Sequence, residues 1–190
     1  MKPHEHDIMR SVEDHYWWYQ ALREHVADSI PPVGPAFSLL DAGCGTGGML
    51  ATIRKKFPRA VLTGIDESEH ALELAAGRNS GARLLRASVH ELPFPENAFD
   101  YVLSLDVWSH AGVDDALAAH ETHRVLRPGG RLILNLAAFE FLKGAHDCAV
   151  RFRRGGKLLA LATIFRDHES LETEQAMERA LAVGAYPPKS

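Results

Sequence analysis

The run Leu39-Leu40-Asp41-Ala42-Gly43-Cys44-Gly45-Thr46-Gly47-Gly48 constrains this 190-residue chain more than any other stretch. It is an apolar segment, an acid, glycine at alternate positions, and then a helix-compatible segment from Met49. That order predicts a strand that stops, a tight turn, and a helix whose N-terminus faces a ligand. Glycine adopts backbone angles that other residues avoid, and it leaves no side chain between ligand and backbone. N–H groups at the start of a helix present partial positive charge to an anion. Two ligand classes fit such a turn. Gly43, Gly45 and Gly48 satisfy G-x-G-x-x-G, a dinucleotide fingerprint. Asp41, Gly43, Gly45 and Gly47 also satisfy acid-x-G-x-G-x-G, which puts a carboxylate at the strand end, where an ammonium or a ribose fits.

The rest of the chain reads as strands alternating with helices. Residues 1–8 read as a loose, charged start, and Met9 to Ile30 as one or two helices stopped by Pro31-Pro32 and Gly34-Pro35. Strands are expected at Phe37–Leu40, Ala60–Ile65, Arg83–Ala87, Phe99–Leu105 and Arg131–Ala137. Helices are expected at Met49–Phe57, from Ser68 as N-cap to Ala76, and from Asp114 or Asp115 to Leu126, with Pro128-Gly129-Gly130 as a turn. Continuous apolar strands joined by helices imply right-handed crossovers and a buried, mainly parallel, doubly wound Rossmann-like sheet of at least five strands. Ligands bind at the carboxyl ends of such strands. Asp41, Asp66, Ser88 and Asp106 close four of them and so converge on one edge.

Bulk properties exclude several classes. A net charge of -4 and a pI near 6.2 do not suit a protein that neutralises many phosphates, so no nucleic-acid partner is expected. No apolar run approaches the roughly 20 residues of a membrane span, so no membrane partner is expected either. Cys44 and Cys148 give neither a disulfide framework nor zinc spacing, and a cytoplasmic setting is the expectation. His120 and His123 flank Glu121 at i, i+3, without the H-E-x-x-H spacing or a third ligand, so no metal is expected there.

Asp66 accepts the hydroxyls of a ribose whichever nucleoside cofactor is present, so it does not separate the two ligand classes. Leu92-Pro93-Phe94, Phe99–Ser104 and Arg124-Val125-Leu126-Arg127-Pro128-Gly129-Gly130-Arg131-Leu132 do. With the glycine turn, in this order and spacing over residues 37–137, they closely resemble the class I S-adenosylmethionine-dependent methyltransferases. The cluster His15-Tyr16-Trp17-Trp18-Tyr19, with His146-Asp147 and Arg153-Arg154, resembles a bacterial subgroup of small-molecule methyltransferases that opens on Tyr-Trp-Trp. The resemblance divides a single domain into helices over 1–35 that cover the site, a cofactor-binding core over 36–138, and an atypical segment over 139–190.

The resemblance implies roles by position. Asp41 with the backbone of Gly43, Cys44, Gly45 and Gly47 orders the methionine end of S-adenosylmethionine, Arg23 reaches its carboxylate, and Asp66 takes the ribose. Glu67 and Val89 flank the adenine slot, and Ser88 stands where the family usually carries an acid toward the adenine amino group. A neutral serine is a weaker acceptor there. Leu105 and Asp106 lie where the methyl group emerges. A hydroxyl acceptor also needs a general base. His110 is the first candidate and His146, beside Asp147, the second, with Asp106 close in sequence to the first. After Arg153-Arg154 the chain departs from the family: no Ala-Gly-Phe turn and no clear final hairpin follow, Leu158–Phe165 reads as strand or helix turn, and Asp167–Val183 reads as helix. The fifth strand is therefore expected to be covered by C-terminal helices or to pair with a second copy as a homodimer. The departure also keeps a cofactor-binding but catalytically impaired partner protein open as an alternative, and a nicotinamide oxidoreductase is the third.

Overall fold

The structure, a computed structural model, describes residues 3–31, 36–137 and 159–165. In chain order its elements are α1 Pro3–Val12, α2 Trp17–Ser29, β1 Ser38–Ala42, α3 Gly48–Lys56, β2 Val61–Asp66, α4 Glu69–Ala76, β3 Arg83–Arg86, β4 Phe99–Leu105, α5 Asp115–Val125, β5 Leu126–Ala137 and β6 Leu159–Phe165. They form two compact units. The first runs to Ser88 and adds Phe99–Leu103; the second holds Val89–Ala98 and what is described from Ser104 onward.

In the first unit the strands run in the order β3-β2-β1-β4. All three pairings are parallel, and the register sets Asp41 beside Gly64 and Asp66 beside Arg86. Leu39, Leu40, Ile65, Val102 and Leu103 are fully buried in these strands, with Leu50 and Ile53 of α3 against them. Two hydrogen bonds to one carboxylate oxygen tie β1 to β4: the Ser38 N–H and hydroxyl both donate to Asp100 Oδ2, at 2.7 and 2.8 Å. Local chemistry sets the helix starts. Ser68 Oγ accepts the Ala71 N–H at the head of α4, as a serine N-cap does. In the second unit Asp114, rather than Asp115, caps α5, its Oδ1 accepting from Ala116 and Leu117. There β5 and β6 are antiparallel over Arg131–Ala137 and Leu159–Phe165.

Three expectations change. The polar start is helical: α1 opens on Pro3, whose fixed φ suits a first turn, and carries Glu5 there to complement the helix dipole. Extended backbone begins at Leu126 instead of Arg131, because the chain leaves α5 directly into φ -71°, ψ 141°, and the Asn97 and Ala98 N–H groups already bond the Arg124 and Val125 carbonyls. Gly129, at φ +77°, is the remnant of the expected turn. Finally, β6 is a strand of the same chain, so it covers the β5 edge that was expected to await helices or a second copy. The helix expected at 167–183 lies outside the described residues.

Candidate functional site

The glycine turn forms as its spacing predicts. Gly43, Gly45 and Gly47 have φ of +93°, +50° and +77°, angles that disfavour any side chain. Gly47 is doubly required, since a Cβ there would lie 2.9 Å from Ala75 Cβ. The N–H groups of the turn, however, are largely committed to the protein. Those of Gly43 and Cys44 both reach the Ile65 carbonyl, at 2.9 and 2.8 Å, and that of Gly47 bonds the Cys44 carbonyl at 2.9 Å. The Gly45 N–H donates to Asp66 Oδ2 at 2.9 Å. These four bonds fix the shape of the turn. What the turn leaves to a ligand is carboxylate and space: a Cβ on Gly45 would meet nothing within 4 Å.

Asp41 and Asp66 stand on either side of this turn with opposite surroundings. Asp41 is 2% exposed and its Oδ2 is enclosed without a hydrogen-bond partner. Burial first, and the Asp66 charge second, push its carboxyl up to about 7. Asp66 is half-buried, and its Oδ1 accepts the Ser68 N–H at 2.9 Å. A carboxylate has about four acceptor positions, so two backbone donors leave Asp66 with capacity for a diol. Burial pushes the Cys44 thiol up as well, followed by the two carboxylates. Its sulfur fills a gap left by Gly64, where a Cβ would lie 2.9 Å from Cys44 Sγ. Cys44 is thus a small filler, with no thiolate character.

A buried ionic cluster fastens the N-terminal helices to the turn. Glu13 is 6% exposed and accepts from the Thr46 hydroxyl and the Arg78 guanidinium. Arg78 also donates to the Thr46 carbonyl at 2.7 Å and to Asp14 at 3.0 Å. Arg23, expected toward the cofactor's carboxylate, donates to the Glu13 carbonyl at 2.9 Å and stands 3.6 Å from the carboxylates of Glu13 and Asp14. Glu13 and Arg78 carry no motif; 65 residues separate them, so no spacing pattern could have paired them. Trp17 is 65% exposed and stacks edge-on against Trp18, so it is not core. Arg86 Nε donates to the carbonyl of exposed Glu67 at 3.0 Å, and Ser88 is half-buried just past β3.

In the second unit Asp106 follows β4 in a left-handed conformation, φ +62°. Its N–H bonds the Asn135 carbonyl at 2.9 Å, and Asn135 Nδ2 returns a bond to Asp106 Oδ1 at 3.0 Å. Burial pushes the Asp106 carboxyl up to about 7. Asn135 is fully buried directly after the apolar run Leu132–Leu134, and its Oδ1 is unpartnered. A lone polar residue in Leu132-Ile133-Leu134-Asn135-Leu136 was the available signal. Leu105 and His110 are half-buried on either side of Asp106, Trp108 and Ser109 are buried between, and Val89 is buried at the start of the unit. Two of the motifs that carried the resemblance, Leu92-Pro93-Phe94 and the stretch from Arg124, turn out to be one fastening. Arg124 donates to the carbonyls of Phe94 and Leu92, at 2.7 and 2.8 Å, and to both oxygens of Glu121, whose Oε2 accepts the Leu92 N–H. His146, Asp147, Arg153 and Arg154 lie outside the described residues. Among the described residues no group of three or more His, Cys, Asp or Glu could hold a metal, and no helix is long and apolar enough to cross a membrane.

The model of the family described as "Methyltransferase domain" matches residues 40–134, half of the chain. The chain belongs to this methyltransferase family. The match starts inside β1 and ends inside β5, so it takes in the glycine turn and the Arg124 fastening together. Among curated proteins, this chain is 36% identical over 126 residues to the cycloartenol-C-24-methyltransferase of Arabidopsis thaliana, covering 60% of this chain and 37% of that one. It is 31% identical over 151 residues to the malonyl-[acyl-carrier protein] O-methyltransferase of Dechloromonas aromatica, covering 73% and 54%. The chain thus spans about a third to a half of the length of these relatives. The fold is also that of the YcgJ protein from Bacillus subtilis, with a TM-score of 0.65 at 20% identity over 85% of this chain and 67% of that one. The expected Rossmann-like, mainly parallel class is the observed one.

Proposed function

We propose that this chain is an S-adenosylmethionine-dependent methyltransferase that passes a methyl group to a small-molecule acceptor. The observation that carries the reading is the Asp41 carboxyl, buried at the end of β1 with Oδ2 unpartnered beside a turn whose Gly45 opens onto space. A buried acid without a counter-charge is costly, and the cost is relieved by a cationic ligand. An α-ammonium supplies that charge, and the spare acceptor positions of Asp66 suit the two hydroxyls of a ribose. A nicotinamide dinucleotide also offers a ribose but brings a pyrophosphate, for which the committed N–H groups of Gly43, Cys44, Gly45 and Gly47 leave few donors. The cofactor's contribution is an already activated methyl on a sulfonium.

The protein's part is then positioning and exclusion of water. Asp41, the Gly43–Gly47 backbone and Asp66 hold the cofactor, with Arg23, Glu67 and Ser88 of the same unit about it; Val89 and Leu105 keep the roles that the family resemblance gives them. Asp106, held by Asn135, and His110 take a proton from a hydroxyl acceptor, with His146 the further candidate. The two curated relatives carry their methyl groups to a sterol carbon and to an oxygen, as their names state, so the acceptor atom is not set by kinship. Calorimetric titration tests the reading: S-adenosylhomocysteine binds and NAD does not. Binding of NAD in preference would refute it. Turnover on a panel of hydroxyl, amine and carboxyl acceptors, followed by mass, then separates an active transferase from a chain that only binds.

A further inference from the structure

Among the described residues of the first unit, two side chains hold an enclosed polar atom without a partner: Asp41 Oδ2 and His6 Nδ1. His6 lies on α1 and is 4% exposed. Burial pushes its imidazole below the usual range, and the next influence in size is the Asp66 carboxylate, which pulls the other way. Asp66 therefore acts on both orphaned groups. The position of His6 is fixed from outside. The neighbouring Asp7 Oδ1 meets His70 Nε2 of α4 at 2.8 Å, and the His6 and His70 rings stand 6.4 Å apart, so His70 is committed where His6 is not. Near its other end, α1 is fastened through Glu13 to Thr46 of the glycine turn. An imidazole nitrogen removed from water and left unpaired loses its hydration without return. Such an atom, within the field of a half-satisfied carboxylate, marks a place where a polar ligand supplies the missing bond.

We propose that His6 is a nucleoside-binding residue of the cofactor site, its Nδ1 hydrogen-bonding the ribose diol that Asp66 accepts. The inference rests on the assignment of Asp66 to the ribose. A hydroxyl offers one donor and two acceptor positions. With the proton on Nδ1, His6 donates to an oxygen whose own hydrogen goes to Asp66; with the proton on Nε2, Nδ1 accepts from the second hydroxyl. Either tautomer of a neutral ring serves. By this account α1 is part of the binding site, and the nucleoside is held from the strand end and from the N-terminal helix at once.

The test is calorimetric titration of S-adenosylhomocysteine and its 2′,3′-dideoxy analogue into the wild-type chain, His6→Leu and His6→Asn. Leucine keeps bulk without a polar atom, whereas asparagine keeps a polar atom near the Nδ1 position. His6→Leu weakens S-adenosylhomocysteine about tenfold and the dideoxy analogue less than about twofold, and His6→Asn recovers most of the loss. Equal weakening of both ligands, or of neither, overturns the proposal. The wild-type protein gives the same reading without a substitution: the His6 Nδ1 resonance shifts on saturation with S-adenosylhomocysteine and stays in place with the dideoxy analogue. An unmoved resonance at saturation overturns the proposal even if a variant fails to fold. Absence of any binding to the wild-type chain removes the methyltransferase reading itself.

Discussion

Replacing Asp41 by Asn separates the stability of this protein from its binding. The wild-type carboxyl titrates near 7 in the folded chain against 3.8 when exposed. Between those values the native state holds a proton that the unfolded state has released. Stability falls with pH wherever the native state binds more protons. Asp41 therefore contributes fully below about pH 4, loses its contribution as pH rises to about 7, and above that leaves a bare buried charge. At about 1.4 kcal/mol per unit of displacement, the whole loss is up to ~4 kcal/mol. Asp41→Asn cannot ionise. Relative to wild type it gains stability steadily from pH 4 to pH 7 and then levels off, up to ~4 kcal/mol ahead at pH 8. Asp106 titrates in the same range but is common to both proteins, so it cancels in the difference. Urea unfolding from pH 4.5 to 8.5 measures that difference. Saturating S-adenosylhomocysteine reverses the order at pH 8, because only an ionised Asp41 gains from an ammonium. A stability difference independent of pH, or equal affinity of the two proteins for S-adenosylhomocysteine, refutes the reasoning.

Arg78→Ala leaves Glu13 buried beside a more distant Arg23 and costs about 3 kcal/mol, the low end for a broken buried pair, which lowers the melting temperature by about 6–12 °C; the double variant with Glu13→Gln recovers part of it. Arg124→Ala removes the donor to the Leu92 and Phe94 carbonyls, costs about 1–3 kcal/mol, and speeds amide hydrogen exchange at Leu92–Asn97 more than in β1. Asp106→Asn lowers kcat about a hundredfold or more on a hydroxyl acceptor, the scale of a lost general base, while S-adenosylhomocysteine affinity measured by calorimetry changes little.

Much of the frame was legible because local chemistry dictates it. The bounds of β4 follow from the mainly apolar run Phe99–Leu105 closed by Asp106, and the start of α4 follows from Ser68, whose Oγ accepts the Ala71 N–H. The left-handed angles at Gly43, Gly45 and Gly47 were implied by their spacing. Less legible were elements that depend on distant partners. Residues 3–8 are polar enough to read as loose, yet α1 forms because Asp7 finds His70 and Glu13 finds Arg78 across more than 60 residues. The strand Leu159–Phe165 was ambiguous in isolation and is decided by pairing with Arg131–Ala137.

The sequence by itself determined the alternating strands and helices, the glycine turn, and the placing of Asp41, Asp66 and Asp106 at strand ends, since period, turn chemistry and apolar runs are properties of neighbouring residues. Only the tertiary structure decided what those acids face. One of the two bonds Asp66 accepts holds the glycine turn in shape, Asp41 Oδ2 and His6 Nδ1 are enclosed without a partner, and Asp106 is held by an asparagine from another strand. Desolvation and pairing are set by groups far away in the chain, and they are what turn a charged residue into either a fastening or a binding site.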